Sequence, residues 1–385
     1  MSPDTVLQLG VVAGEHSGDM LGADLLAALH ARVAQLQARG VGGERMRRHG
    51  MQILAPSERL AVMGLVEPLW RLPELLRLRA MLVRDFLRDP PAVFVGIDAP
   101  DFNLGLERRL RERAIPVAHY VSPSVWAWRS GRIETIRRSV DLMLTLFPFE
   151  QRLYAEHGIA ACYVGHPLAD RIALVPDREA ARTRLGLDVA DPVVAVLPGS
   201  RESELARLAP PFLAACDICL QEIPELRFVL PAVDERARSQ LGRLLQGRAS
   251  TAFRLLEGDS HTALEAADVV LVACGTATLE TMLFKRPMVT AYRMAGLSHA
   301  LISRMLRTRW VSLPNILAGE QLVPELLQDE VQPAALAREV LRLLRDDAQR
   351  AALAARFEAL HVELRRGAAE RAAEALLALA SRGGM

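Results

Sequence analysis

The sequence predicts an α/β protein with two doubly wound parallel sheets, in two domains that face a cleft. Residues 7–12 and 193–197 are short apolar runs, and each is followed by a glycine-containing turn and a helix-like stretch. Such runs are typical of strands that are buried on both faces of a parallel sheet. The same strand–turn–helix order therefore starts twice within 385 residues, a length for which two hydrophobic cores are the usual outcome.

Further apolar runs extend this pattern along both halves. They lie at residues 92–97, 115–121, 140–147, 227–231, 269–273 and 288–292. We therefore expect a first domain in residues 1–170 and a second in residues 171–345, with a hinge near residues 166–190. Residues 346–385 form a helical C-terminal segment, and the sequence leaves open whether these helices pack on the first domain of the same chain or of a neighbour.

Composition argues against several classes of protein. The formal net charge is +1, whereas a general nucleic-acid-binding protein needs a basic excess, so we expect no nucleic-acid partner. Lys285 is the only lysine, which rules out a P-loop lysine. No signal peptide is evident and no apolar run approaches the length of a membrane span, so we expect a cytoplasmic protein. The four cysteines fit a reducing compartment, and no set of metal ligands has convincing spacing.

An anion site is predicted where the strand at residues 193–197 ends. The turn that follows it contains Gly199, Ser200 and Arg201. Such a turn leaves backbone N–H groups unpaired at the start of the next helix, where they attract anions, and the guanidinium of Arg201 suits phosphate oxygens. The alternative interpretation is an ordinary strand-to-helix turn.

A second turn of this kind follows the strand at residues 269–273. Gly275 and Thr276 open a helix, and Glu280 lies near its start. Acidic residues accept hydrogen bonds from ribose hydroxyls in nucleotide-binding folds, which predicts that role for Glu280. A glutamate that compensates the helix dipole would occupy the same position.

A polar turn at residues 13–19 follows the first strand. Gly14 and Gly18 allow a ligand to approach the backbone there, and Glu15 and Ser17 offer polar groups. We expect these residues to contribute to a substrate site in the first domain.

Two carboxylates follow the strand at residues 92–97. Asp98 and Asp101 lie in one loop, and ligands of open parallel sheets collect outside the carboxyl ends of the strands. We expect Asp98 to be a general base, with Asp101 and Glu15 as rivals for that role. Asp101 is also a candidate for a helix cap.

The stretch from residue 63 to residue 88 mixes leucines with arginines. Leu69, Trp70, Leu75 and Leu76 belong to its apolar part. Such a surface can lie in a membrane interface with its arginines at the lipid headgroups. The alternative is an amphipathic helix that turns its apolar face to the core.

Seven spaced motifs together resemble one family, the lipid-A-disaccharide synthases. They lie at residues 13–19, 96–103, 120–129, 197–204, 275–281, 292–294 and 311–319. The resemblance runs from residue 6 to about residue 330. His16 departs from it, because a small residue is expected at that position, and the departure affects only local packing.

The resemblance implies a glycosyltransferase of the GT-B type with two Rossmann-like domains. The implied reaction transfers 2,3-diacylglucosamine from its UDP donor to 2,3-diacylglucosamine 1-phosphate with inversion, which gives a β-1,6-linked disaccharide and UDP. The first domain would bind the acceptor and lipid, and the second the UDP-sugar, with Arg293 and Asn315 added to its nucleotide-binding residues. The implied location is the cytoplasmic face of the inner membrane, and a homodimer is allowed. No metal or other cofactor is expected, since Arg201 and helix N-termini can neutralise the leaving diphosphate.

Two other classes of function stay open at this point. One is a different UDP-sugar enzyme on the same scaffold, either an epimerase or the peptidoglycan N-acetylglucosaminyl transferase, because a fold does not fix the chemistry. The other is a non-enzymatic two-lobed binding protein.

Overall fold

The computed structural model describes residues 6–60, 68–123, 125–126, 131–249, 251–294 and 308–383, with the backbone alone at residues 68–71 and 383. The chain divides into two compact units. The first unit consists of Met1–Asp170 together with Leu364–Met385, and the second of Arg171–Glu363. The chain therefore passes from one unit to the other twice.

The first unit contains a seven-stranded sheet with parallel pairings. Its strands are β1 (Val6–Ala13), β2 (Gln35–Gly42), β3 (Gln52–Pro56), β4 (Val93–Ile97), β5 (Val117–Tyr120), β6 (Leu142–Thr145) and β7 (Ala161–Tyr163). They lie in the order β3-β2-β1-β4-β5-β6-β7. The order reverses between β1 and β4, which is the point where open α/β sheets bind ligands.

The second unit contains a six-stranded sheet of the same kind. Its strands are β8 (Val193–Leu197), β9 (Arg227–Ala232), β10 (Phe253–Glu257), β11 (Val269–Ala273), β12 (Met288–Tyr292) and β13 (Glu325–Leu327). They lie in the order β10-β9-β8-β11-β12-β13, so the reversal falls between β8 and β11. The predicted doubly wound α/β class, with a parallel sheet in each half, is confirmed.

Helices connect the strands of both sheets. In the first unit they are α1 (Glu15–His30), α2 (Glu44–Arg48), α3 (Pro68–Arg88), α4 (Pro100–Arg111), α5 (Arg132–Ser139), α6 (Pro148–Glu156) and α7 (Pro167–Arg171). They continue with α8 (Arg178–Leu185), α9 (Glu202–Glu222), α10 (Glu235–Leu245), α11 (Ser260–Ala266), α12 (Thr276–Leu283), α13 (Leu313–Ala318), α14 (Pro333–Arg345), α15 (Asp347–Leu364) and α16 (Ala368–Gly383). Within the part of the chain that the structure describes, no helix is both long and apolar enough to cross a bilayer.

The last helix, α16, completes the core of the first unit. Its Ala372, Ala373 and Leu376 are buried in the same apolar cluster as Leu25 and Leu26 of α1. The helix therefore returns to the first unit of its own chain. The predicted C-terminal segment at residues 346–385 is divided, since α15 lies almost entirely in the second unit and α16 in the first.

Five strands lie where the sequence predicts none. They are β2, β3, β7, β10 and β13, and all of them except β2 are edge strands of their sheets. The sequences of β2, β3 and β10, QLQARGVG, QILAP and FRLLE, carry polar side chains at exposed positions. An edge strand is solvated along one side, so its sequence lacks the continuous apolar run that identified the central strands.

Candidate active site

The predicted polar turns of the first unit lie at adjacent strand ends. β1 and β4 are neighbours, and Ala13 pairs with Ile97 at their carboxyl ends. The turn after β1 and the loop after β4 therefore leave the sheet side by side, at the point where the strand order reverses. They are also packed closely, because a Cβ atom added to Gly14 would lie 2.7 Å from the Cβ of Ala99.

The loop that carries Asp98 is held in an unusual backbone conformation. Asp98 and Ala99 have φ angles of 53° and 43°, in the left-handed region that non-glycine residues seldom adopt. The backbone N–H of Asp98 donates to the carbonyl of Tyr120 at 2.9 Å. The side-chain Nδ2 of the fully buried Asn103 donates to the carbonyl of Asp98 at 2.8 Å and to that of Val12 at 3.2 Å. Strain of this kind persists only where the surroundings fix it, and it clusters at functional sites.

The two rivals of Asp98 differ from it in their surroundings. Asp101 is 80% exposed and forms an ion pair with Arg132, and no side-chain hydrogen bond caps α4. The predicted capping role of Asp101 is therefore not observed. Glu15 begins α1 with a φ of 59° and an exposed side chain. Asp98, by contrast, is partly buried beside the sheet.

The glycines of the first turn have packing roles in the structure. Gly14 and Gly18 are buried, and Gly18 lies over Ala13, where an added Cβ would be 3.4 Å from that residue's Cβ. Ser17 is exposed at the N-terminus of α1. Of the predicted substrate residues in this turn, Ser17 and Glu15 are thus the two whose side chains are accessible, while the glycines let the backbone elements approach each other.

A cavity of about 460 Å³ lies at the strand ends of the second unit. Six of its lining residues are those that the sequence predicted for the nucleotide: Gly199, Ser200, Arg201, Gly275, Thr276 and Glu280. Leu197 of β8 pairs with Val272 of β11, so the two glycine turns are neighbours at the reversal point. The structure brings these six residues together, and their contact with a nucleotide stays a prediction.

Glu204 is a further cavity residue, which the sequence reasoning missed. Its Oε2 accepts hydrogen bonds from the backbone N–H groups of Ser200 at 3.2 Å and Arg201 at 3.4 Å, and its Oε1 accepts one from Nη1 of Arg201 at 3.2 Å. The sequence interpretation treated these backbone donors as unpaired, and that part of it is wrong. An incoming phosphate would have to compete with the Glu204 carboxylate for the same donors.

Glu280 has a basic neighbour that was also missed. Oε1 of Glu280 lies 3.6 Å from Nε2 of His261 at the start of α11. The hydrogen bond and charge of Glu280 raise the pKa of His261, although burial acts in the opposite direction. The ribose-type carboxylate is therefore next to a histidine whose positively charged form it favours.

Two predicted nucleotide residues do not line this cavity. Asn315 is fully buried, its Nδ2 donates to the carbonyl of Val323 and to Glu325, and its Oδ1 accepts from the N–H groups of Leu322 and Val323 at 2.8 and 2.9 Å. This arrangement favours a structural role for Asn315, because its hydrogen-bonding groups are occupied inside the protein. Arg293 follows the end of β12 and is partly buried, and its predicted role stays a prediction.

Helix α3 presents two different apolar faces. Leu78, Leu82 and Phe86 are buried, whereas Leu72 and Leu76 are 48% and 47% exposed. The core-facing alternative is therefore correct for one face, and the exposed leucines lie four residues apart on another. Leu75 is partly buried and packs against the same apolar core as Leu78, Leu82 and Phe86, so the structure does not support it as a membrane residue. The side chains of Leu69 and Trp70 lie outside the described residues.

Part of the tryptophan-rich loop after β5 is described. Trp126 donates from Nε1 to Oε1 of Glu150 at 3.1 Å and packs against Phe149 with its ring centroid 5.2 Å away. Burial raises the pKa of Glu150 to about 7, although backbone and side-chain donors act to lower it. Trp128 lies outside the described residues. Among those residues, no group of three or more His, Cys, Asp and Glu side chains could hold a metal ion.

Comparison with known proteins decides the family. A family model described as lipid-A-disaccharide synthetase matches residues 9–379. The chain belongs to this family. Lipid-A-disaccharide synthase from Pseudomonas paraeruginosa is 52% identical over 376 residues, which cover 98% of this chain and 99% of that relative. The predicted resemblance to the lipid-A-disaccharide synthases is thus confirmed over nearly the whole chain.

Solved structures share the fold at low sequence identity. UDP-GlcNAc 2-epimerase from Neisseria meningitidis matches with a TM-score of 0.65 and 10% sequence identity. The match covers 97% of this chain and 100% of the epimerase chain. The calicheamicin glycosyltransferase CalG4 matches with a TM-score of 0.60 and 15% sequence identity. The match covers 98% of this chain and 99% of the CalG4 chain. These similarities extend only to the fold, and they agree with the predicted Rossmann-like GT-B architecture.

Proposed function

We propose that the chain is an inverting glycosyltransferase of lipid A biosynthesis. It transfers 2,3-diacylglucosamine from its UDP donor to 2,3-diacylglucosamine 1-phosphate, and the products are the β-1,6-linked disaccharide 1-phosphate and UDP. The observation that carries this proposal is membership of the lipid-A-disaccharide synthase family over residues 9–379. The cavity of the second unit supports it, since six residues of suitable chemistry line one space.

In this proposal the second unit holds the nucleotide. Arg201 and the backbone at the N-termini of α9 and α12 bind the diphosphate, and Glu280 accepts hydrogen bonds from the ribose hydroxyls. Donors of this kind stabilise the negative charge that develops on the leaving UDP. The proposed reaction therefore requires no metal ion or other cofactor.

The first unit supplies the base in this proposal. A sugar hydroxyl becomes an adequate nucleophile when its proton is accepted as the new bond to the anomeric carbon forms. Asp98 accepts this proton, the glycosidic bond forms with inversion, and the bond between the anomeric carbon and the diphosphate oxygen breaks. The left-handed turn at residues 98–99 fixes the position of this carboxylate.

Product analysis tests the proposed reaction directly. The protein is incubated with UDP-2,3-diacylglucosamine and 2,3-diacylglucosamine 1-phosphate, and mass spectrometry should find an acylated disaccharide 1-phosphate with release of UDP. Matched non-acylated sugars should give far less product. An isomerised UDP-sugar formed without acceptor would favour an epimerase, and tight UDP binding without turnover would favour a binding protein.

Substitution of the side chains proposed to bind the nucleotide should weaken UDP binding. For Arg201→Ala we expect Kd to rise by about 10- to 150-fold, because charge-assisted hydrogen bonds are worth about 1.5–3 kcal/mol. Glu280→Ala should also weaken binding, and isothermal titration calorimetry measures both. Arg338→Ala is a matched control, since Arg338 is an exposed arginine outside the cavity lining. Unchanged UDP affinity in both cavity variants would remove these residues from the site.

We also propose that α3 docks the enzyme on the cytoplasmic face of the inner membrane. The support is the pair of exposed leucines, Leu72 and Leu76, in a stretch rich in arginine. The chain can act there as a monomer or as a homodimer, and sedimentation on and off vesicles distinguishes the two.

Loss of the exposed leucines should reduce membrane association. The double variant Leu72→Ser with Leu76→Ser should bind anionic phosphatidylglycerol vesicles roughly tenfold more weakly or worse, since each leucine loses apolar burial in the bilayer. Co-sedimentation measures the bound fraction, and circular dichroism checks the fold. Leu78→Ser is the contrasting variant, because its buried side chain should affect stability instead. Unchanged vesicle binding by the folded double variant would exclude this face as the docking surface.

A further inference from the structure

Two buried titratable side chains lie directly behind the Asp98 loop. Glu107 of α4 and His119 of β5 are both fully buried, and Oε1 of Glu107 lies 2.6 Å from Nδ1 of His119. His119 pairs with Gly96 across the sheet, two residues before Asp98. A Cβ atom on Gly96 would lie 2.1 Å from Oε1 of Glu107, so the glycine leaves the space that this carboxylate occupies.

The loop is attached to both elements that carry the pair. Asn103, one turn before Glu107 on α4, donates to the carbonyl of Asp98 at 2.8 Å. Tyr120, the residue after His119 on β5, accepts from the N–H of Asp98 at 2.9 Å. A displacement of either side chain of the pair is therefore transmitted to the loop through one covalent neighbour or one helical turn.

Three polar atoms around this pair have no hydrogen-bond partner among the described residues. They are Oε2 of Glu107, Nε2 of His119 and Oδ1 of Asn103. Buried polar atoms without partners are costly, and proteins keep few of them. An apolar pair of the same volume would avoid this cost, so the arrangement indicates a role other than stability.

The charges around the pair favour a protonated imidazole. Burial lowers the pKa of His119, but the charge and hydrogen bond of Glu107, the charge of Asp98 and the backbone of Val121 outweigh it and raise the pKa overall. Burial also raises the pKa of Glu107, and His119 partly offsets that effect. Glu107 and His119 therefore favour each other's charged forms, and the charge of Asp98 acts on His119 in the same direction as that of Glu107.

We propose that Glu107 and His119 are positioning residues for Asp98, the base of the proposed function on which this inference rests. Glu107 holds the imidazole of His119 in one orientation. The imidazole then holds the neighbouring Asp98 carboxylate in its strained turn, ready to accept the proton of the acceptor hydroxyl. Neither side chain of the pair touches the substrate, because both are fully buried.

The test replaces the whole pair by apolar residues of similar volume, Glu107→Leu with His119→Phe. Replacement of both members of a buried ion pair usually gives a folded protein. A single substitution, by contrast, leaves the other charge buried without its partner. We expect the double variant to keep its melting temperature and UDP affinity while kcat falls by about tenfold or more. The KM values of the double variant should change little, since neither side chain of the pair touches the substrate.

A second measurement is independent of activity. In ¹⁵N-labelled protein, Asp98→Asn should lower the pKa of His119, because the substitution removes a charge that favours the imidazolium. Glu107→Gln should lower it further, since Glu107 is the larger influence. If the pair is only structural, neither kcat nor this titration should respond as stated.

The outcomes separate this inference from the proposed function. A wild-type protein that forms no disaccharide would overturn the proposed function, and the inference with it. A wild-type protein that forms disaccharide, beside a folded double variant with unchanged kcat, would overturn the inference alone. A double variant that fails to fold, with a His119 pKa that does not respond to Asp98→Asn, would also overturn it.

Discussion

Asp98→Asn should lower turnover by about 10²- to 10⁴-fold while UDP affinity stays close to that of the wild type. The substitution keeps the size of the side chain and removes the group that accepts the proton, which is the usual contribution of a general base. The nucleotide cavity lies in the other unit and contains none of the residues around Asp98. Initial rates at saturating donor and acceptor measure the first effect, and calorimetry the second.

Two variants of neighbouring carboxylates serve as controls for this result. Asp101 is exposed and paired with Arg132, so Asp101→Asn should change turnover only slightly. Glu15→Gln tests the other rival, whose side chain is exposed at the adjacent strand end. Near-normal turnover in Asp98→Asn, with a large loss in either control, would transfer the role of the base to that residue.

Asn315→Ala should destabilise the second unit by about 2–4 kcal/mol without changing the UDP affinity of the folded protein. The substitution leaves the backbone N–H groups of Leu322 and Val323 unpaired in a buried position, and each lost partner costs about 1–3 kcal/mol. Urea unfolding followed by fluorescence should show a lower midpoint with an unchanged slope.

The family resemblance implied a different result for this residue, namely contact with the nucleotide. Ser312→Ala is the matched control, because it removes one hydroxyl bond to Glu325 from the same network and leaves the backbone donors paired. Normal stability of Asn315→Ala combined with a large loss of UDP affinity would restore the nucleotide role and contradict the structural one.

The central strands and the glycine turns could be predicted because their signals are local. A strand such as β8 is buried at all five positions, so its whole sequence is apolar and the following turn is conspicuous. The two sheets then place Arg201 and Glu280 beside one cavity through a general rule about strand ends. For these residues, local sequence and fold class were sufficient.

The remaining features depend on tertiary contacts that leave no periodic pattern. Glu107 and His119 lie on a helix and on the strand that follows it, and only the packing of α4 on the sheet brings their side chains together. Glu204 lies at a helix start where a dipole-compensating glutamate is ordinary, and the structure is needed to see that its carboxylate occupies the phosphate donors. Asn315 was assigned by resemblance alone, and its burial could not be read from its motif.

The return of α16 to the first unit has a consequence for synthesis on the ribosome. Ala368 is added 198 residues after Asp170 (368 − 170), and the whole of Arg171–Glu363 is made in between. At about 5–20 residues per second, that delay is on the order of 10–40 s. During this interval the leucines of α1 that α16 later covers stay accessible, so the half of the protein that is translated first is completed last, and nascent chains expose an apolar surface that a chaperone can bind.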